Sequence, residues 1–589
     1  MKLHKKPSVP PKQARSPFVR KLSERKIIET TAGFVGGGVV LVEFAHHILV
    51  NHYHLPHQLV DITLLSLICA WLSVITWRWF RAGKKPRKVR WELILVPIFL
   101  AVGIFLNVVQ IRNTIKENPE APGQVSWENS IAVLPFENIG GDEDQQYFCD
   151  GLTEELINAL SNIEALKVVA RTTVFFYKGK QEDVRIIGRE LNVDNVLEGT
   201  VRKSGNQLRI TVQLIDVEDG FHIWSNRFDR EFDDVFTIQD EIALAVADHL
   251  RINLLGGEKP RITKRETKNS EAYNLYLQAR FAMNKKTEGG LREAIRIFEQ
   301  AIEVDPDYAL AFIGMADAFW NLSIYGSVPA SEVYLSAKNN TMKALAIDNT
   351  LAEAHASLAN IKAYERDWEG TEKAFLKAIE LNPGFAAAHN LFGYHLMCMG
   401  RFEEAISELK RAIALDPYNM NYTRNLGRVF YCESRYDEAI AIFKGALEIN
   451  PNLAYTHLSL GLVYMQMENY PESLKEIEKE KALSAERNPI ADAVSGVVYA
   501  RMRELEKAKE AWVNLSILRK ESYVSSYWLA ALAFAAGNKD QGFALLDEAF
   551  SGRDIWLREI KADPLFEDVR KDARFQDLLG RLGLVEQNS

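Results

Sequence analysis

The sequence predicts a chain of mixed α and α/β class in three parts: membrane-spanning helices at the head, a small α/β domain, and a long all-α solenoid. Three observations predict it. No Lys or Arg falls between Lys26 and Arg78, and apolar stretches fill that gap. Short apolar runs of strand character, one of them alternating with period two, lie between residues 130 and 255. Beyond residue 270, Pro383, Pro417 and Pro451 recur every 34 residues. A chain of 589 residues has room for about four domains. Its 47% hydrophobic and 25% charged content excludes global disorder, and four cysteines are too few for a disulfide framework.

Residues 1–116 hold 18 Lys and Arg against five acids, a net of +13, while the rest holds 53 bases and 74 acids, a net of -21. An acidic body argues against nucleic acid as a partner, because phosphate contact needs clustered cations. The basic head instead reads as a membrane anchor: a basic cytoplasmic tail over 1–29, then spans at about 30–50, 59–77 and 91–111. The second and third are long and apolar. The first carries Glu43, His46 and His47, so its insertion is marginal unless it packs on its neighbours. Gly33 and Gly37, beside Gly36 and Gly38, read either as a close-packing face or as a flexible glycine run.

Nine Lys and Arg precede residue 32, none lies in 51–58, and seven lie in 78–90. Three crossings put both basic segments in the cytoplasm and everything after about Ile111 outside. No small-residue cleavage pattern marks the head as a signal peptide. His46, His47, His52, His54 and His57 cluster near the outer face, as an interfacial polar cap or as a metal-binding or pH-sensing group.

Over 130–255, Ser130-IAVLPF reads as a strand, the pattern after Asp150 as a helix, LKVVART as a second strand and VRIIGRELNV as a second helix. Three further strands, VLEGTVRK, QLRITVQLID and FHIWSNRFD, are separated by Ser204-Gly205-Asn206 and Glu218-Asp219-Gly220. A helix near 234–255 closes the domain. Asp150, Glu154, Glu155 and Arg171 form no recognisable catalytic arrangement and read as capping and surface residues.

The strings IAVLPFEN, YFCDGLTEELINALS, VVART, GRELNVDNVLEGTVRKSGNQLRITVQLID, FDR and DVFTIQDEI, in that order, resemble the TolB amino-terminal-like domain of bacterial multidomain proteins. The resemblance implies a non-catalytic domain, often followed by tetratricopeptide repeats. In such proteins the pair is attached to a nucleotide-cyclase catalytic domain or a winged-helix regulator. Neither effector is recognisable here, and the apparent spans occupy the head instead. The bacterial resemblance makes the expected membrane the cytoplasmic one, crossed several times, with the later domains on its periplasmic side.

After the polar linker GGEKPRITKRETKNS, residues 270–589 repeat with the 34-residue period of the tetratricopeptide repeat. Gly393, Gly427 and Gly461 form one series, and Ala378, Ala412 and Ala446 another. About nine residues are inserted after Trp320, the pattern fades after Asn452, and the tail reads as a helical cap. Such an array is a solenoid with a concave surface suited to a protein or peptide partner. The inward positions of the first helices supply the candidate groove: Asn360, Asn390, Tyr394, Asn421, Arg424, Asn425, Arg428 and Tyr431. Arg424 and Arg428 are placed to grip a carboxylate or peptide carbonyls, although the pattern lacks the lysines of the chaperone-binding carboxylate clamp. The plainer alternative is a set of solvated groove residues. Cys398 and Cys432, one period apart, are expected as free thiols, and the slot shared by His355, His389 and His457 reads as packing.

No phosphate-cradling glycine loop, His-Glu-x-x-His helix or nucleophile elbow is present in the sequence, which implies no enzyme, no cofactor and no metal. The expected function is a membrane-anchored interaction scaffold, with oligomerisation open. The alternative is a signalling or regulatory subunit related to the cyclase-associated or transcription-regulator-associated proteins named above.

Overall fold

The structure, a computed structural model, describes residues 129–585 apart from 140–144, 164, 181, 253, 255–257, 264, 326–327 and 484–487. The basic tail, the three expected spans and the histidine cluster lie outside the described residues. Among the described residues no helix is long and apolar enough to cross a membrane. Residues 127–589 form one compact unit.

The α/β module contains β1 (Asn129–Val133), β2 (Glu137–Asn138), β3 (Leu166–Val168), β4 (Asn195–Ser204), β5 (Gln207–Asp216) and β6 (His222–Glu231). The sheet runs β3-β1-β4-β5-β6 with β2 also on β4; the pairs made by β1 and β2 are parallel, and β4-β5-β6 is antiparallel. The alternation in QLRITVQLID sets this geometry. Leu208, Ile210, Val212 and Leu214 are at most 1% exposed, and the helices Gln146–Ser161 and Val235–His249 share their core. Ser204 pairs with Gln207, so Gly205, at φ +59°, and Asn206 form a two-residue turn. The string LKVVART is strand only as far as Val168; Arg171–Phe175 is a short helix.

From Ser270 to Ser551 the chain forms eight antiparallel helical pairs. Glycines set how closely paired helices approach. A Cβ at Gly427 would lie 2.6 Å from the Phe443 ring, at Gly393 2.8 Å from Leu409 and at Gly461 2.7 Å from Ile477. The insertion after Trp320 lengthens Ala309–Tyr325 and Ala330–Ile347 to 17 and 18 residues, against 13 and 14 in Ala386–Cys398 and Phe402–Leu415. The repeat signature fades after Asn452, but the hairpins continue. Pro489 sits in the first turn of its helix, where a missing N–H costs nothing.

The module caps the solenoid through a shared core running from Ile131 to Ala318. Tyr147 Oη donates to Asn274 Oδ1 (2.8 Å), and Gln239 Nε2 donates to Tyr273 Oη (2.6 Å). The connecting segment is held as well, with Ile262 buried and Thr267 donating to Asp305. The solenoid also curls back, onto the module at Thr173 and Phe176 and onto its own second pair at Ile324. Thr173 Oγ1 donates to Asp416 Oδ1 (3.0 Å), Phe176 stacks on Tyr418 (4.9 Å), and Tyr455 Oη donates to the Ile324 carbonyl (3.1 Å).

Candidate functional site: the repeat groove

The inner face of the first helices is occupied, over its later repeats, by the chain's own tail. After the last pair, the 3₁₀ segments Ile555–Glu559 and Pro564–Val569 return along this face, followed by the helix Ala573–Leu582. Glu559, 1% exposed, accepts from Tyr394 Oη and pairs with the Arg428 guanidinium. Asp563, 0% exposed, accepts from Tyr431 Oη (3.1 Å) and Tyr527 Oη (2.7 Å). Trp368 Nε1 donates to the Leu582 carbonyl (2.7 Å), which ties the third pair to the tail, and Arg366 donates to the Phe550 carbonyl (2.7 Å) of the eighth pair.

Three of the eight groove residues expected to meet a partner, Tyr394, Arg428 and Tyr431, are therefore bound within the chain. Tyr394 and Arg428 occupy the same slot one repeat apart, and so grip the two oxygens of one carboxylate. Leu557, Ile560, Leu565, Phe566 and Val569 are all buried beneath this polar contact. At about 1.5–3 kcal/mol each their burial contributes at most on the order of 10 kcal/mol. That is comparable to the whole binding energy of a micromolar peptide, about 8 kcal/mol. The groove is closed here by default.

The charges in this contact are matched, Arg428 and Arg558 against Glu559 and Asp563. Burial works to lower the Arg428 pKa, but Glu559 and its other anionic neighbours outweigh it and hold the group well above its usual value. Burial raises Asp563, opposed by Arg428. Arg558 lies 4.5 Å over the Tyr394 ring, and its Nε has no hydrogen bond.

The other five candidates keep polar capacity. Arg424 donates to the Ala454 carbonyl (2.8 Å) and weakly to Asn425 Oδ1 (3.4 Å), and makes no ion pair with a described carboxylate. Burial lowers its pKa, with the Tyr325 and Tyr455 hydroxyls opposing. Asn425 Nδ2 donates to Asn390 Oδ1 (2.9 Å), and Asn421 donates to Asn419 (3.3 Å). Asn360 lines a small enclosed cavity with Trp368, Phe375, Tyr394, His395 and Arg558. Burial, then the charges of Arg558 and Arg401, push His395 down to about 4, so it is neutral at physiological pH.

Sequence reasoning missed Glu559, Asp563, Tyr527 and Arg558. For Glu559, Asp563 and Arg558 the signal was the run DIWLREIKADPLF, in which charged residues interrupt an apolar pattern too short for a repeat helix.

The remaining polar candidates are accounted for by local contacts. Asp150 accepts from Lys178 Nζ at 2.7 Å, and Glu154 bridges Arg171 and Arg280. Glu155 is pushed up to about 7 by burial and by Glu154. His389 and His457 each place Nδ1 2.6 Å from a glutamate nineteen residues on, Glu408 and Glu476, which makes the slot structural. Cys398 and Cys432 are separate buried thiols, and burial raises Cys398 to about 12. Among the described residues no group of three or more His, Cys, Asp or Glu side chains is placed to hold a metal ion.

The fold and the groove define a tetratricopeptide-repeat protein with an α/β module at the start of the array. Residues 357–419 and 427–468 match tetratricopeptide-repeat families, and residues 127–244 match the family described as HilA/YgeH-like transcriptional regulator, second domain. A protein of Rhizobium meliloti named putative adenylate cyclase 3 is 37% identical over 262 residues, 43% of this chain and 44% of that protein. The transcriptional regulator HilA of Salmonella typhimurium is 20% identical over 310 residues, 52% of this chain and 54% of its own length. The chain thus spans about half the length of these curated relatives. Among solved structures, Pseudomonas aeruginosa PilF aligns with a TM-score of 0.29 at 21% identity, covering 36% of this chain and 91% of PilF.

Proposed function

We propose that the protein is a non-catalytic, membrane-anchored scaffold that presents a TolB-like module and a repeat groove to a protein partner outside the cytoplasmic membrane. The observation that carries this reading is the state of the groove. Its later repeats are closed by the tail, while Arg424 contacts only the Ala454 carbonyl and the Asn425 amide by hydrogen bond. Arg424 is half-buried, and a partner's acidic or carbonyl group at its guanidinium would add a charge-assisted hydrogen bond. The sidedness comes from the asymmetry of Lys and Arg around the three apolar stretches.

Two measurements test it. A reporter fused at the carboxyl end reads sidedness: activity confined to the cytoplasm overturns the external placement. Affinity capture with Arg424→Ala reads the groove: a partner retained at wild-type yield overturns that part. Arg424→Ala is the informative variant, because Arg428→Ala strips Glu559 of its counter-ion and perturbs the tail instead.

A second reading, a signalling or regulatory subunit, is favoured by one observation. The module and adjoining residues align with proteins named as a cyclase and a transcriptional regulator. It predicts that deleting the gene changes cyclic-nucleotide level or transcript pattern under some stress; unchanged values across a stress panel discard it.

A further inference from the structure

β6 is the open edge of the module's sheet. It is ten residues long and pairs with β5, and among the described residues no strand lies on its other side. Every residue in it except Trp224 and Phe228 is exposed. The turn at Gly205 fixes which backbone groups are unpaired. Ser204 and Gln207 close it as a hydrogen-bonded pair, and bonded pairs alternate from there across β4, β5 and β6. Trp224, Asn226, Phe228 and Arg230 therefore direct their N–H and C=O groups to β5, while Ser225, Arg227, Asp229 and Glu231 direct theirs outward. An unpaired row of this length is a template for another strand.

Side chains of the strand itself stand in for a neighbour. The Arg227 N–H donates to Asn226 Oδ1 (2.9 Å), and Arg230 Nη1 donates to the Asp229 carbonyl (3.1 Å). Asp229 meets Arg209 of β5 and, at 3.1 Å, Arg227; the side chains of Arg227 and Asp229 are 64% and 45% exposed. Charges of one sign along an edge deter pairing, whereas these alternate and reward one register.

For a second copy of β6 running antiparallel, the outward residues must face one another. Centred on Arg227 or on Asp229, that pairing opposes like charges; centred on Arg230, it opposes Asp229 to Glu231; centred on Asn226, it forms no ion pair. Centred on Phe228, it sets Arg227 against Asp229 of the second copy, twice by symmetry, and Ser225 against Glu231. Asp229 then lies between Arg209 of its own sheet and Arg227 of the other. The Arg227 N–H and the Asp229 carbonyl bond to each other across this pair, and the Asn226 and Arg230 side chains they release face one another.

From this self-complementarity we infer that two copies of the chain pair antiparallel through β6, centred on Phe228, and join their modules into one continuous sheet. The interface is isologous, as a two-fold dimer requires. Backbone bonds supply the affinity, and the order of charges supplies the register.

The test uses the full-length chain in detergent, with its mass read by analytical ultracentrifugation over a concentration series. A dimer is expected. Arg227→Asp and Asp229→Arg each oppose like charges and should weaken it by about tenfold or more. The double variant restores the opposition and should recover most of the loss. Asn226→Cys with Arg230→Cys reads the register: the two positions face each other at a non-bonded pair, so oxidation should cross-link the copies, while Asn226→Cys alone should not. Should Asp229→Arg, which also faces Arg209, fail to melt cooperatively, Arg227→Asp and the cysteine pair decide. A monomer at every concentration overturns the proposal, as does a dimer indifferent to Arg227→Asp, which some other surface must hold.

Discussion

The two ends of the solenoid are capped by different chemistry. At the start, the module lays Gln146–Ser161 against Ser270–Met283, and the contact is rich in acids. Glu154 is paired with Arg171 and Arg280, but Glu155 and Asp317 are each pushed up to about 7 by burial, with only the Arg280 charge opposing. At the other end, the tail brings Glu559 and Asp563 onto Arg428, Tyr394, Tyr431 and Tyr527, and the charges match. A matched buried pair is sensitive to losing one member; an unmatched buried acid is sensitive to pH. The first end should therefore respond to proton concentration and the second to substitution.

The largest expected effect is at the tail. Glu559→Ala strands Arg428 and should destabilise the later repeats by about 3–5 kcal/mol in urea unfolding. Glu559→Leu combined with Arg428→Met should recover much of that loss, because apolar residues of similar volume replace a buried pair well. A single variant as stable as wild type breaks the contrast between the ends. Next comes the internal packing: Gly427→Ala places a methyl against Phe443 and should be less stable by about 1–3 kcal/mol, by the same measurement.

The first end is tested by pH. A carboxylate whose folded pKa is raised contributes stability that is full below its unfolded value of about 4.3 and is lost as pH climbs through about 7. Glu155→Gln cannot ionise, so its melting temperature should exceed that of wild type at pH 7.5 and approach it near pH 4.5. A constant offset across that range removes the assignment.

Much of this architecture is legible from local periodicity, because a strand's alternation and a helical pair's small-residue spacing are properties of neighbouring residues. Leu208, Ile210, Val212 and Leu214 announce a buried strand face, and the glycines at 393, 427 and 461 announce close helix contact. The self-occupied groove is not legible that way. Glu559 meets Arg428 across 131 residues, and Thr173 meets Asp416 across 243. Nothing within a repeat records that an inward arginine already has its carboxylate. Arg424 and Arg428 look alike in sequence, one turn apart, and differ only in what the distant tail delivers.

The smallest expected effect sharpens the same point within one recurring turn. Arg366, Gly400, Ser434 and Glu468 are spaced 34 apart, and all adopt left-handed backbone, with φ of 65°, 78°, 63° and 60°. An L-residue there is strained by roughly 1–2 kcal/mol, while glycine loses more entropy on folding, by roughly 0.5–1 kcal/mol. The repeat slot alone predicts that replacement by glycine stabilises each turn slightly. Glu468 is exposed, so Glu468→Gly should gain a few tenths to about 1 kcal/mol. Arg366 sits in the same backbone, yet it donates to the Phe550 carbonyl and lies 3.9 Å over the Phe550 ring. Arg366→Gly removes that clasp between the third pair and the eighth, and should lose about 1–2 kcal/mol despite the relieved strain. Opposite signs for the two glycine variants in urea unfolding would show that the distant contact with the eighth pair, rather than the local turn, decides this slot.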